Sequence, residues 1–391
     1  MKKENYKASL PLKFTIFLIV VLLLASTYFF SAKIEEFINF KYNQNALSTS
    51  LEDVSLKVHF IDVDQADAIL IEFPTGEKML IDAGDNKTSS RTKLLNYLDN
   101  LNFKTEDGEK VLDYFVITHS HEDHIGAAVQ IFENYKVKTC VRPDIRSSSE
   151  GKLNEDIAFS KTQIYDNVIT AMKNEVGCEI YTSSQGLSPF VSEGYSQSKL
   201  NVDSLTWKIS FLTPIASELP YKSGSDFEFN NYSPLMMLEY MNKKIMFTGD
   251  AEKEVEEDFI SYYSATLVNF DVDILKVGHH GSKTSSTVEF LQVLKPEYAI
   301  IEVGKGYDHP HSETIENLKS VGLTENDIYR TDNNGNILVG ITVEGELRLV
   351  ADYVQYITFK FEWWEVFSTG TVLAATIIFI PKKRYNKKKR K

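Results

Sequence analysis

Thr118-His119-Ser120-His121-Glu122-Asp123-His124-Ile125-Gly126 follows directly on an apolar, strand-like stretch at residues 114–117. Three imidazoles and a carboxylate within six residues make a donor set that borderline divalent cations such as zinc, manganese and iron prefer. A short turn of this HxHxDH spacing aims alternate side chains at two neighbouring ions. The bland alternative is a solvated histidine-rich turn, and chance seldom places such spacing at a strand end.

Outward from that turn, the 391 residues suffice for one large α/β domain or two small ones, with a core that needs no disulfide or metal. The formal net charge is −13, unevenly spread: both ends are basic and the middle is acidic. An acidic body repels long polyanions and offers no broad basic track for nucleic acid, although a metal centre inverts the potential inside its own pocket. Residues 14–32 carry no charge, and about 20 such residues make a bilayer-spanning helix. Lys2, Lys3, Lys7 and Lys13 precede them, which keeps the N-terminus cytoplasmic and exports the chain beyond residue 32. A cleaved signal peptide is the competing reading, but Phe30-Ser31-Ala32 makes a poor cleavage site. A second uncharged stretch, 366–381, is short for a span, yet Trp363 and Trp364 before it and the basic tail 382–391 after it fit a return crossing. Its alternative is a peripheral tail. Cys140 and Cys178 stand on separate strand-like stretches outside any metal-ligand spacing, and pairing and two free thiols both remain open.

Alternation and turn signals in the middle predict strands at 56–62, 68–73 and 78–81, broken by Pro74-Thr75-Gly76, and then a helix over 88–100. A helix over 125–134 opens from the histidine turn, with a strand ending at Pro143. Polar, serine-rich loops are expected at 144–160 and 182–204, flanking a helix over 162–176. The loop 220–233 mixes Tyr221, Phe227, Phe229 and Tyr232 with glycine and asparagine, a composition suited to contact an organic group. Strands at 235–240 and 244–247, helix 251–262, strand 273–277, helix 287–294, strand 298–303, helix 312–321 and strands 337–341 and 347–350 complete the pattern. His59 lies in a strand without evident partners, and His311, before helix 312–321, reads as solvated.

Five separated segments fit one family pattern: Ile61-Asp62-Val63-Asp64-Gln65-Ala66-Asp67-Ala68-Ile69-Leu70-Ile71, Leu80-Ile81-Asp82-Ala83-Gly84, the HxHxDH turn, Phe247-Thr248-Gly249-Asp250, and Leu275-Lys276-Val277-Gly278-His279-His280-Gly281-Ser282-Lys283. Together with His309-Pro310 and Arg330-Thr331-Asp332-Asn333-Asn334-Gly335, they resemble the metallo-β-lactamase-like domain of the ComEC-like competence proteins over residues 56–350. The many-helix channel of those translocators is missing, so the resemblance does not imply DNA uptake. It implies an αβ/βα sandwich holding two divalent ions, zinc or manganese, at one edge. His119 and His121 would bind one ion, Asp123, His124 and His279 the other, and Asp250 would bridge them. Asp82 would orient the histidine turn from behind, and Asp250 also reads as the N-cap of helix 251–262. His280 and Lys283 would face the substrate anion or leaving group, and adjacency alone leaves open which of His279 and His280 ligates. His309 is a pocket residue by the same resemblance, so Asp123, His280, Lys283 and His309 make the expected catalytic set.

Two departures stand out. Asp64 and Ala66 replace glycines usual in the first segment, and no histidine lies between His124 and His279 to complete the first ion's ligands. Asn230, Asn231 and Ser233 occupy that place, with Asn231 and Ser233 as candidate oxygen donors. The architecture expected is thus a cytoplasmic tail and anchor (1–32), a metallo-β-lactamase-like domain (51–350), a linker (351–365), a second span (366–381) and a cytoplasmic tail (382–391). In a bacterial cell membrane this places the catalytic domain outside. The function expected is hydrolysis of a phosphate ester, of nuclease or cell-wall phosphorylcholine-esterase type, both of which occur among relatives. The alternative is a catalytically weak domain that binds a surface polymer or partner, and the missing histidine disfavours β-lactam hydrolysis.

Overall fold

A computed structural model describes residues 10–29, 53–153, 157–184, 207–214, 219–223, 226–264 and 270–352. The chain divides into two compact units, Met1–Asn45 with Val354–Lys391, and Ala46–Tyr353. In the first, Leu10–Phe29 is a helix of 20 residues. Pro11 sits in its first turn, where a missing N–H costs no hydrogen bond. Side chains are described over residues 11–26, and among the described residues no helix is long and apolar enough to cross a membrane. The expected span 366–381 and most of the loop 182–204 lie outside the described residues.

The second unit is built on two sheets. The first runs, edge to edge, Leu347–Ala351, Ile337–Thr342, Val54–Phe60, Ile69–Glu72, Lys78–Ile81, Glu109–Val116, Tyr135–Arg142 and Glu179–Thr182, with Thr105–Glu106 added on Glu109–Val116. The second runs Ile328–Arg330, Tyr298–Ile301, Ile274–Lys276, Lys243–Phe247, Met236–Tyr240 and Trp207–Phe211.

Alternation along the strands assigns each side chain to a layer. Ile69, Ile71, Met79, Ile81 and Val116 of the first sheet join Met236, Leu238, Ile245, Phe247 and Ile274 of the second in one buried cluster between the sheets. Their neighbours Leu70, Leu80, Phe115, Met237, Met246 and Leu275 turn the other way, into the cluster that includes the helices. Phe73 stacks on Trp207 at 3.8 Å between centroids, and the Trp207 indole donates to Thr75 Oγ1 at 3.0 Å. Truncating such a ring to alanine costs about 3–5 kcal/mol.

Parallel pairing decides where function can sit. Lys78–Ile81 runs parallel to Glu109–Val116, and Lys243–Phe247, Ile274–Lys276 and Tyr298–Ile301 run parallel to one another. Asp82, Thr118–His124, Asp250, His279–His280 and Glu302 each follow the carboxyl end of one of these strands, the usual place for ligands in α/β sheets.

Some elements differ from expectation. The helix foreseen over 125–134 is two, Glu122–Ile125 and Ala128–Asn134. Gly126 lies so close to the backbone of Asp85 and Asn86 that a Cβ there would sit 2.0 Å from it. The helix foreseen over 251–262 is Lys253–Tyr262 with Glu252 at its N-cap position, so Asp250 is not its cap. The loop 220–233 contains a small hairpin, Lys222–Ser223 with Asp226–Phe227, and a tight turn, Phe229–Tyr232. Strand Trp207–Phe211 was not foreseen. Cys140 is buried and Cys178 partly so, both as free thiols.

Candidate metal centre

The histidine turn is held from behind by Asp82, which is fully buried in left-handed backbone (φ 58°) that Asp tolerates better than most residues. Its carboxylate accepts from Thr118 N at 2.8 Å, Thr118 Oγ1 at 2.7 Å and His124 Nδ1 at 2.7 Å. The last bond fixes the tautomer of His124 and leaves Nε2 facing forward. Burial lifts the Asp82 carboxyl above its usual range, against the pull of His124.

Opposite, Phe247-Thr248-Gly249-Asp250 leaves the second sheet. A Cβ on Gly249 would meet Ser233 Cβ at 2.9 Å and Thr118 Cβ at 3.0 Å, so glycine lets the two sheets' loops close on each other. Ser233 Oγ accepts from Asp250 N at 3.1 Å and lies 3.2 Å from His119 Nδ1. Asp250 Oδ2 then stands 3.2 Å from His124 Nε2 and 3.5 Å from His280 Nε2. Burial works against its charge, but His124 and His280 hold the Asp250 carboxyl well below the ordinary range. Asp250 and Asp82 do the converse for His124, outweighing burial and raising it well above an ordinary imidazole.

His279 and His280 both have positive φ (47° and 50°), a conformation that costs a non-glycine residue roughly 1–2 kcal/mol. This turn swings His280 inward. Its Nδ1 donates to the Glu302 carbonyl at 2.9 Å and lies 3.2 Å from Asp67 Oδ1, and its Nε2 faces Asp123 Oδ2 at 3.3 Å. His279 turns outward, with Nδ1 3.1 Å from both Glu252 Oε1 and Thr284 Oγ1 and Nε2 3.9 Å from Asp250. The histidine that joins Asp123, His124 and Asp250, with one ligand atom of each within 4.8 Å of the others, is therefore His280 and not His279. Asp67, Asp82 and His124 also cluster. There the Asp82 oxygens are taken by Thr118 and His124, and Asp67 pairs with Lys276, so this group braces the centre from behind.

His119 Nε2 and His121 Nδ1 meet at 3.0 Å, His119 fully buried and His121 exposed. Burial and the charges of His124 and His121 push His119 well below an ordinary imidazole. The oxygen donors foreseen beside this pair are used elsewhere. Asn231 accepts from Glu252 N at 3.0 Å and donates to Glu254 Oε2 at 3.3 Å, and Ser233 stands at Nδ1 of His119, behind the ring. Asn230, for which the sequence suggested no role, donates to Glu252 Oε1 at 3.2 Å, and its own Oδ1 is buried without a hydrogen-bond partner.

His309 packs over His279 at 6.0 Å between centroids and against His311 at 4.6 Å. Lys283 is exposed at the rim, its N–H donating to His311 Nδ1 at 3.1 Å, so His311 is engaged rather than simply solvated. His59 has partners as well, Tyr97 at 2.8 Å and Glu72 at 3.0 Å. A cavity of about 590 Å³ lined by Tyr221, Asn231, Glu252, Lys283 and Thr284 adjoins His279. Another, of about 570 Å³, lined by Arg142, Arg146, Ile157, Tyr181 and Tyr232, holds none of these histidines or aspartates.

Residues 61–183 match the Metallo-beta-lactamase superfamily. ComE operon protein 3 of Bacillus subtilis (strain 168) is 30% identical over 292 residues, 72% of this chain and 32% of that protein. Competence protein ComA of Neisseria gonorrhoeae is 30% identical over 131 residues, 30% of this chain and 18% of that protein. Among solved structures, CmlA, a diiron beta-hydroxylase from Streptomyces venezuelae, is similar at a TM-score of 0.40 and 11% identity, covering 74% of this chain and 54% of that one. The chain spans less than a third of the length of ComE operon protein 3. From the match over the histidine turn and the likeness that extends across both sheets, the chain carries a metallo-β-lactamase superfamily domain of the kind found in the ComEC-like competence proteins.

Proposed function

We propose that this chain is a metal-dependent phosphodiesterase anchored in a bacterial membrane, its catalytic domain on the outer side. One observation carries the reading: ligand atoms of Asp123, His124, Asp250 and His280 converge within 4.8 Å beside the His119–His121 pair. The donors suit zinc or manganese. His124 Nε2, His280 Nε2 and Asp250 Oδ1 are buried without hydrogen-bond partners, the state of atoms shaped for a ligand other than protein. Asp123, His124, Asp250 and His280 would hold one ion, and His119 and His121 the other, sharing Asp250. Two bound ions supply Lewis-acid charge to a phosphoryl oxygen and lower the pKa of a neighbouring water.

The chain's own groups bind and orient. Lys283 at the rim and His309 over His279 offer donors to an anionic ester, and Phe229, edge-on to His121 at 6.1 Å, gives an apolar wall. The adjoining cavity gives a leaving group room. The acidic body favours a short or cell-wall ester over a long nucleic acid. Anchoring is supported by the uncharged run 14–32 with four lysines before it, and by the exposed apolar side chains Leu12, Phe14, Leu18, Ile19, Leu22 and Leu23 of helix Leu10–Phe29.

The test is turnover of bis(p-nitrophenyl) phosphate, DNA and phosphorylcholine esters by the full chain in detergent with added zinc or manganese. Turnover of none, by a protein that has taken up metal, would leave a binding domain. Protease added to intact cells should digest the middle and spare tags on both ends, and protection of the middle would overturn the topology.

A further inference from the structure

Lys276 is an ammonium with no exposed surface, directly behind the metal centre. Burying such a charge is costly unless it is paired and hydrogen-bonded, so its partners define what it does. It forms an ion pair with Asp67 Oδ2 and donates to the Gly249 carbonyl at 3.1 Å. Gly249 is the residue before Asp250. Asp67 is buried too, and its other oxygen stands 3.2 Å from His280 Nδ1. The backbone of Asp67 reaches a third ligand, its N–H donating to the Asp123 carbonyl at 3.2 Å. Glu302 closes the network: its carbonyl accepts from His280 Nδ1 at 2.9 Å, and its Oε1 accepts from Ala68 N at 3.1 Å. Both neighbours of His280 Nδ1 are acceptors, which puts the proton on Nδ1 and the free pair on Nε2.

We propose that Lys276 and Asp67 act as a pair of positioning residues that set the aim of His280 and tie it to Asp123 and Asp250. Neither touches the ions or the substrate. Their main action, through His280, falls on the ion that Asp123, His124, Asp250 and His280 would hold, and the inference rests on the metal reading above. His119 leans on Ser233 and Thr118, His121 meets His119, and neither touches Lys276 or Asp67.

The test is cobalt(II) titration of the metal-free full chain, followed by visible absorption with bound cobalt counted. The variants are Lys276→Met, Asp67→Asn and the double variant Asp67→Asn/Lys276→Met, which removes both buried charges and so preserves the fold if either single change does not. One equivalent should weaken by about 10–100-fold, the usual cost of losing an outer partner of a ligating histidine, and its absorption should change. The second should bind as in the wild type. Because the two residues act as one unit, the double variant should lose no more than a single one. A folded double variant that binds both equivalents with wild-type affinity and spectrum overturns the proposal, as does equal weakening of both. Wild-type protein that takes up no cobalt overturns the metal reading and this inference with it.

Discussion

The two sides of the centre are built differently. On the His124–His280 side each ring has its Nδ1 fixed by a buried acceptor, Asp82 for one and the Glu302 carbonyl for the other, with the Asp67 carboxylate 3.2 Å away. On the His119–His121 side one ring has two neutral hydroxyls, Ser233 and Thr118, at its Nδ1 and no carboxylate or carbonyl, and the other ring is exposed. A site whose ligands are fixed beforehand loses little ordering entropy when it binds, whereas a looser one keeps room for exchange and for substrate. On the proposed two-metal reading, the first side would hold its ion the more tightly and the second would exchange it the more readily. Asp250 faces His124 and His280 with Oδ2, and its Oδ1 is buried without a hydrogen-bond partner.

Substitution of the shared residue tests that division most severely. Asp250→Ala should cut bis(p-nitrophenyl) phosphate turnover by about a thousandfold or more, roughly 4 kcal/mol in the barrier, and weaken both metal equivalents. His121→Ala should also remove most of the activity while leaving the first equivalent in place. Near-wild-type turnover from either variant would sink the two-metal assignment, and loss of both equivalents in His121→Ala would erase the distinction between the sides.

Next in size is an effect of pH on the frame of the braced side. Glu256, buried on helix Lys253–Tyr262, accepts from Ser286 N, from Thr287 N at 2.9 Å and from Thr287 Oγ1 at 2.7 Å. It thereby ties the helix after Asp250 to the loop after His280. Burial pushes its carboxyl up from 4.5 to about 7 despite those three bonds. With the folded pKa raised, the group's stabilising share is complete below pH 4.5 and fades as pH rises through 7, where the fold must hold a buried charge. Unfolding free energy in urea should fall between pH 5 and 8 by on the order of 3 kcal/mol more in the wild type than in Glu256→Gln. Equal slopes would remove Glu256 from the account.

Legibility in the sequence does not follow that division: the His119–His121 pair shows in the spacing of one turn, whereas much of the braced side does not. His119, His121, Asp123 and His124 stand out because one short turn at a strand end brings them together, whereas Asp250, on the other sheet, was suggested by the family pattern alone. The inward turn of His280 could not, since it depends on two consecutive left-handed residues and on Glu302, distant in the chain. Lys276 and Asp67 stood inside the family segments without a role, because a lysine in an apolar strand shows its purpose only when its buried partner is known. The layers could be read from alternation. The break at Ala127 could not, since there the N–H groups of Gly126 and Ala127 turn to the carbonyls of Gly84 and Ala83 across the fold.

Removing the brace itself should give a smaller and one-sided loss. Asp82→Ala frees His124 Nδ1 and the Thr118 donors, and should weaken one metal equivalent by about 10–100-fold, near 2 kcal/mol, with little effect on the other. Isothermal titration of the metal-free protein would register two distinct sites in which only the tighter has moved. Equal weakening of both would show that Asp82 supports the whole turn rather than one ring.

The smallest effect is the difference between the sides in the unaltered protein. On the proposed reading, one ion would have two imidazoles and two carboxylates from the chain and the other two imidazoles and the shared Asp250, with Asn231 and Ser233 committed elsewhere. Fewer charged donors and an exposed His121 mean a weaker hold and more exchange with solvent, which suits manganese as readily as zinc. An affinity gap of about tenfold, near 1.4 kcal/mol, should let mild chelation strip one equivalent first, and activity should return when metal is added back. If both equivalents leave together, the second side has a further donor. The orphaned Oδ1 of Asn230 is then the atom to examine, because it is buried on the turn facing that side and nothing in the described residues satisfies it. Asn230→Ala should restore sequential loss in that case, and leave the order of loss unchanged if the amide plays no part.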